Sequence, residues 1–168
     1  MYNYQPNGQP YQQPYQQPYQ QPYQQPYQQP YRPMPIHQLK TNRGLLKYIL
    51  LNMVTFGIYG IVVMSTISTD INEIASRYDG KKTTHFCLMA FLFSWLTCGI
   101  SPIVWYHKIS ARIGNELLRR GITYDFGAGT FWGWNVLGSL LFGVGPLVYA
   151  YKLFKAMNLL CSHYNYTG

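Results

Sequence analysis

The chain has 168 residues, a formal net charge of +8 and a mean hydropathy of −0.14. These averages would fit one basic soluble domain, but they combine a polar N-terminal stretch with a remainder that contains long uncharged segments. The bases are scattered between those segments instead of forming one cluster, which argues against a nucleic-acid partner.

Residues 1–38 form a low-complexity tail in which Pro-Tyr-Gln-Gln repeats without a break from Pro10 to Gln29. A proline at every fourth position disfavours helix and central strand, because proline lacks a backbone donor. We therefore predict a disordered tail. Its tyrosine rings and glutamine amides favour weak self-association or binding of a soluble partner, and a solvated spacer is the alternative.

Residues 39–168 contain three apolar blocks, 48–69, 83–106 and 126–151, which carry no charged residue apart from the ionisable His85. As single helices these blocks would be about 33 to 39 Å long, enough to cross a hydrocarbon core of about 30 Å. We predict an all-α membrane domain with transmembrane spans at about 45–69, 83–106 and 127–151. Tryptophan and tyrosine residues near the block ends are typical of membrane interfaces.

The blocks align as an internal repeat on Gly57, Gly99 and Gly143, at spacings of 42 and 44 residues. A second glycine or proline follows each of these, at Gly60, Pro102 and Pro146. Such pairs break helices, and an apolar stripe at helical spacing continues after each break. The second unit departs from this pattern, because Glu116 and Arg120 stand where the other two units are apolar. The predicted unit is an apolar transmembrane helix, a Gly/Pro break and an amphipathic helix, and it occurs three times.

The segment 55–61 reads Thr-Phe-Gly-Ile-Tyr-Gly-Ile, and 97–103 reads Thr-Cys-Gly-Ile-Ser-Pro-Ile. These segments, with the aromatic and basic ending at Trp105, His107 and Lys108, resemble the repeat of the domain of unknown function 4234 family. That family consists of small prokaryotic membrane proteins, and the likeness covers most of 45–165. The resemblance implies a membrane location and brings no assigned activity.

Polar residues inside the apolar blocks are the candidate site residues, because a bilayer penalises them. We interpret Asn52 and Asn135 as polar contacts between helices rather than as a pore. The five acidic residues lie outside the predicted spans, which argues against an ion-coupled transporter. Cys87, Cys98 and Cys161 lack CxxC spacing and are interpreted as structural thiols, with palmitoylation of Cys161 as an alternative. We predict no catalytic residue, no metal site and no cofactor.

The preferred function is that of a non-enzymatic organiser or adaptor in the cell membrane, with a cytoplasmic tail that binds partners or self-associates. A small oligomeric channel or transporter is the alternative. Full crossings are preferred because a kinked helix satisfies its backbone hydrogen bonds more simply than a turn exposed to lipid. The competing topology folds each block back as a re-entrant hairpin of two short arms.

Overall fold

The computed structural model describes Met1 and residues 35–140 and 142–168. All elements in these residues are helical and belong to one unit, Arg32–Gly168. The prediction of a disordered tail over residues 1–38 falls outside the described residues, apart from Met1 and residues 35–38.

Three long helices each follow a shorter helical arm. The first arm is α1 (Leu45–Val54), which precedes the long helix α2 (Ile58–Asp79). The second arm, residues 86–96, consists of α3 (Phe86–Leu88), a π-helix (Met89–Phe93) and α4 (Ser94–Leu96), and it precedes α5 (Ile100–Arg119). The third arm, residues 128–140, consists of α6 (Ala128–Thr130), a π-helix (Phe131–Val136) and a 3-10 helix (Leu137–Leu140), and it precedes α7 (Gly145–Thr167).

A turn with two consecutive left-handed residues separates each arm from its long helix. The φ angles are 48° and 89° at Phe56 and Gly57, 50° and 85° at Cys98 and Gly99, and 51° and 75° at Phe142 and Gly143. A right-handed helix cannot continue through left-handed residues, so the chain changes direction there. Each arm then contacts the beginning of the following long helix, and together they form a helical hairpin.

The hydrogen bonds of the first turn lie within its own hairpin. The Thr55 hydroxyl donates to the Leu51 carbonyl at 2.6 Å and accepts the Tyr59 N–H at 3.0 Å. The Gly57 N–H donates to the Asn52 carbonyl at 2.9 Å. The second turn has the same bonds around Thr97 and Gly99, whose partners are Phe93, Ser94 and Ser101. These turns therefore satisfy backbone groups without an external partner.

The six predicted break residues divide into two groups. Gly57, Gly99 and Gly143 form the turns, with positive φ. The other three lie in the first turn of the following long helix, at Gly60, Pro102 and Pro146. Proline is tolerated there because the first N–H groups of a helix have no partner within it.

The second halves of the long helices form the core. Of their predicted apolar stripes, Tyr78 at the end of α2 is 49% exposed. The other members are almost completely buried, namely Ile67, Ile71, Ile74, Ile109, Ile113, Leu117, Leu153, Met157, Leu160 and Tyr164. Ser110 in α5 contacts Tyr149 in α7, and Arg120 just after α5 contacts His163, so α5 and α7 run in the same direction. Helix α2 also runs parallel to α7, as shown by Asp70 with Cys161 and Glu73 with Tyr164. The three turns therefore lie at one end of the bundle, which we call the tip end.

The prediction of transmembrane helices is wrong, although the all-helical class is correct. Among the described residues, no helix combines the length and the apolar character that a membrane crossing requires. The predicted spans 45–69, 83–106 and 127–151 are single kinked helices. In the structure, the left-handed turns fold each of them into a hairpin. The predicted amphipathic helices are also not separate elements, because each continues without interruption from the apolar segment after the turn.

Candidate functional site

The hairpins expose large apolar side chains. At the turns, Phe56 is 98% exposed and Phe142 is 102% exposed, while Trp95 in the second arm is 87% exposed. More than half of the side chain is also exposed at several arm residues, namely Leu46, Leu50, Met53, Val54, Phe91, Leu92, Leu96, Leu137 and Leu140. Apolar exposure on this scale is unusual for a monomer and marks a surface that contacts another apolar phase or molecule.

Aromatic side chains fill the region between the apolar hairpins and the buried core. Tyr106 stacks on Phe131 with ring centroids 6.0 Å apart, and Phe86 contacts Trp105 at 4.7 Å. Tyr48 of α1 meets Phe154 of α7 at 5.0 Å. The aromatic layer, as we call it, consists of Tyr48, Phe86, Trp105, Tyr106, Phe126, Phe131, Tyr149 and Phe154. It joins each arm to the bundle.

Asn52 and Asn135, the predicted polar contacts, have different surroundings. The Asn52 amide oxygen accepts the Gly60 N–H at 2.8 Å, and its amide nitrogen donates to the Tyr48 carbonyl at 2.9 Å. A Cβ atom on Gly60 would lie 2.6 Å from that oxygen, so glycine allows the two helices of the first hairpin to approach closely. Asn135 is half-buried, and its side chain has no hydrogen-bond partner among the described residues.

Beyond the aromatic layer, the end of the bundle opposite the tips is held by ion pairs. Arg43, which precedes α1, pairs with Asp70 of α2, and both side chains are buried. The Arg43 backbone N–H donates to the side-chain amide oxygen of Asn158 in α7 at 3.2 Å. The neighbouring Cys161 is fully buried, and burial raises the pKa of its thiol to about 11. Sequence analysis places the acids outside the spans but does not predict that Asp70 is buried.

Arg112 of α5 holds the loop that follows α2. Its guanidinium donates to both Asp79 carboxylate oxygens at 2.7 and 3.0 Å and to the Lys81 carbonyl at 2.6 Å. The other acceptors are the side-chain oxygens of Asn72 at 2.5 Å, Thr83 at 2.7 Å and Ser76 at 3.0 Å. Burial raises the pKa of Asp79, but the bonds from Arg112 and from the Lys81 N–H outweigh this and lower it.

Glu116 and Arg120 occupy positions where the other two predicted stripes are apolar, and they form a second buried ion pair. Their side chains are 5% and 3% exposed, with an N–O distance of 2.7 Å. Arg120 also bonds His163 of α7 at 3.0 Å and the Ile74 carbonyl of α2 at 3.5 Å. This departure from the apolar pattern therefore connects all three long helices.

A polar stripe in the sequence of α2 is a signal for the Arg112 network that the predictions above do not include. Asn72, Ser76 and Asp79 are spaced at four and three residues, which places them on one face of α2. A polar stripe beside an apolar stripe predicts a polar partner from a neighbouring helix. No cluster of three or more potential metal ligands occurs in residues 35–140 and 142–168.

The structure thus defines a class of all-helical protein in which apolar hairpins extend from a bundle held by buried ion pairs. Residues 43–115 match the family model described as a domain of unknown function, DUF4234. This stretch spans the first hairpin, the second arm and most of α5, and its match to the DUF4234 family model confirms the resemblance seen in the sequence. No match was found among curated proteins or among solved structures.

Proposed function

We propose that this protein is a non-enzymatic membrane organiser, which inserts its three hairpins into one leaflet and uses its N-terminal tail for association. The observation that carries this proposal is the exposure of large apolar side chains on three turns at one end of the bundle. A lipid bilayer fits this surface because the exposed side chains continue from the turns along the arms.

The size of the hairpins supports insertion without crossing. Helix α1 has 10 residues, and at 1.5 Å per residue it is about 15 Å long. This is half the thickness of a hydrocarbon core of about 30 Å. A hairpin of this size reaches about the middle of the bilayer, and both of its ends remain on the side from which it enters.

The second turn also meets the chemical requirement of an apolar medium, in which an unpaired backbone group costs several kcal/mol. In the second turn, the five consecutive N–H groups from Thr97 to Ser101 all have acceptors within the hairpin. Full crossings are predicted from the sequence because a kinked helix satisfies its backbone hydrogen bonds more simply than a turn exposed to lipid. The Thr97 hydroxyl removes that objection, because it accepts the N–H that would otherwise lack a partner.

Lysines beside the aromatic layer support a defined depth of insertion. Lys47 adjoins Tyr48 in the chain, and Lys108 follows Tyr106 on α5; both lysines are exposed. Lysines favour anionic headgroups, whereas most rings of the aromatic layer are buried and mark this level only by their position. The proposed depth therefore places the hairpins in hydrocarbon, the aromatic layer at the interface and the ion-paired end of the bundle in water.

The first test places a negative charge on two of the turns. We expect Phe56→Asp with Phe142→Asp to lower partitioning into phosphatidylcholine vesicles at least about 100-fold, because each charge costs about 2.5 kcal/mol or more in hydrocarbon. Aspartate tolerates positive φ better than phenylalanine, so the turns should persist. Vesicle flotation measures the effect. The matched control is Leu118→Asp with Tyr166→Asp, which changes two exposed apolar residues outside the hairpins; equal flotation of both double variants would refute insertion by the hairpins.

The second test is sidedness. A compartment-sensitive reporter is fused after Gly80, after Gly121 and after Gly168, which follow the three long helices. Because hairpins return to the side from which they enter, we expect all three reporters on the same side as the N-terminus. Reporters on alternating sides would contradict hairpin insertion and would restore the hypothesis of a channel.

The third test concerns the tail. Deleting residues 2–34 preserves the hydrogen bonds of Ile36 to Tyr164 and of Leu39 to Asn165. We expect this variant to bind supported bilayers normally and to lose lateral clustering in fluorescence microscopy. A variant that retains the tail but has serine at its repeated tyrosines should behave in the same way, because the aromatic rings are the proposed contact groups. Unchanged clustering in both variants would contradict the role of the tail.

A further inference from the structure

Two connected cavities lie beside the second hairpin. The larger, of about 750 Å³, is formed by the loop after α2 and one side of α5. The smaller, of about 340 Å³, runs along the second arm. Both are lined by Thr84, Met89 and Val104, so they adjoin along these residues.

The larger cavity has an excess of positive charge. Two of its arginines are already paired, Arg112 with Asp79 and Arg119 with Glu116. Its three lysines, by contrast, have no ion pair among the described residues; they are Lys81, Lys82 and Lys108. Three uncompensated ammonium groups around one cavity favour an anionic ligand.

The backbone of the loop that carries Lys81 and Lys82 is held in place by the network around Arg112. The Lys81 carbonyl accepts a hydrogen bond from Arg112 at 2.6 Å, and the Lys81 N–H donates to Asp79 at 2.9 Å. The Thr83 N–H donates to Asn72 of α2 at 2.6 Å. The loop that carries two of the lysines is therefore fixed against both α2 and α5, and little ordering is needed when an anion binds.

The smaller cavity is apolar. Its side chains include Met89, Phe93, Ile100 and Val104, all from the second hairpin. Trp105 lines the larger cavity, and its indole N–H donates to the carbonyl of Thr84, which lines both cavities, at 2.8 Å. An apolar cavity that adjoins a basic one matches the two parts of one amphiphilic ligand.

We propose that these cavities bind an anionic phospholipid, with its phosphate among the three lysines and an acyl chain along the second hairpin. This inference rests on the proposed function, because the lipid would be taken from the leaflet that holds the hairpins. It adds a ligand class: the site distinguishes anionic lipids from zwitterionic ones. A soluble phosphate compound shares the headgroup chemistry but lacks the acyl chain.

The test uses the full chain in detergent, so that lipid binding is measured apart from vesicle insertion. Native mass spectrometry compares retention of phosphatidylglycerol, phosphatidylcholine and glycerol phosphate. We expect phosphatidylglycerol to bind at least about 10-fold more tightly than either of the others, because it alone supplies both the charge and the chain. The variant Lys81→Gln, Lys82→Gln, Lys108→Gln should bind phosphatidylglycerol no better than phosphatidylcholine.

A matched control removes three charges elsewhere, through Lys40→Gln, Lys152→Gln and Lys155→Gln, none of which lines either cavity. It should keep the preference for phosphatidylglycerol. Equal retention of the two lipids by the unchanged protein, or equal losses in the two triple variants, would overturn the lipid site. Glycerol phosphate binding as tightly as the lipid would also overturn it. A protein that floats with vesicles yet shows no lipid preference would refute this inference and leave hairpin insertion standing.

Discussion

Replacing Arg112 by methionine is expected to lower the free energy of unfolding by about 3 kcal/mol, the upper end of the range for a hydrogen bond to a charged group. The Arg112 side chain is 9% exposed, and that of its partner Asp79 is 29% exposed. Methionine fills much of the same volume but donates no hydrogen bond. Asp79 then loses its counter-ion, and the side chains of Asn72, Ser76 and Thr83 lose a donor. The loop after α2 should detach from α5.

Thermal unfolding of the purified chain, followed by circular dichroism, measures this effect. A loss of 3 kcal/mol corresponds to a fall in Tm of about 6 to 12 °C for a chain of this size. Arg119→Met is the matched control, because Arg119 lies on the same helix and its side chain is 39% exposed. Glu116 keeps its second partner Arg120 when Arg119 is replaced, and the half-exposed Arg119 contributes about 1 kcal/mol or less. Equal Tm values for the two variants would show that the Arg112 network does not stabilise the fold.

A methyl group at Gly145 is expected to separate the third arm from α7. The Cβ atom of alanine would lie 2.2 Å from the Gly138 carbonyl carbon and 2.2 Å from the Trp134 carbonyl oxygen. Both contacts are to backbone, so no side-chain rotation can relieve them. Overpacking of this kind costs about 1 to 3 kcal/mol, and the double backbone contact favours the upper part of that range.

Gly133→Ala provides the control for Gly145→Ala. Gly133 lies in the same hairpin, and a Cβ atom there would meet nothing within 4 Å. Chemical denaturation should show a clear loss of stability for the alanine at 145 and little change for the alanine at 133. If both variants unfold at the same denaturant concentration, the third hairpin is not closely packed at Gly138.

The sequence predicts the helical class and the core, but not the direction of the chain at the breaks. In each long helix, apolar residues recur at helical spacing, and this spacing predicts the buried face. Ile71, Ile113 and Met157 are buried examples, one from each helix. The breaks are also visible, because Gly57, Gly99 and Gly143 interrupt uncharged blocks. A hydropathy argument cannot distinguish a kink from a reversal, since both conserve the number of apolar residues.

The polar contacts are harder to predict because each depends on residues far apart in the chain. Arg112 and Asn72 are separated by 40 positions, and Arg43 and Asn158 by 115. Only the helix carrying Asn72 offers a local signal, through its polar stripe. The lysines beside the second hairpin are equally inconspicuous in the sequence, where they look like ordinary flanking charges.

The first left-handed residue of each turn is an apolar residue in a strained backbone conformation, which lowers the stability of the fold. Phe56, Cys98 and Phe142 have φ angles near +50°, a region in which glycine or asparagine would be less strained. A bulky side chain at such a position costs roughly 1 kcal/mol or more. The protein nevertheless has phenylalanine at 56 and 142, and both side chains are almost fully exposed. Asparagine at Phe56 and Phe142 is therefore expected to relieve backbone strain and to remove two large exposed apolar groups at the same time. Under the proposed insertion, this variant should be more stable than the unchanged protein and should partition less into vesicles.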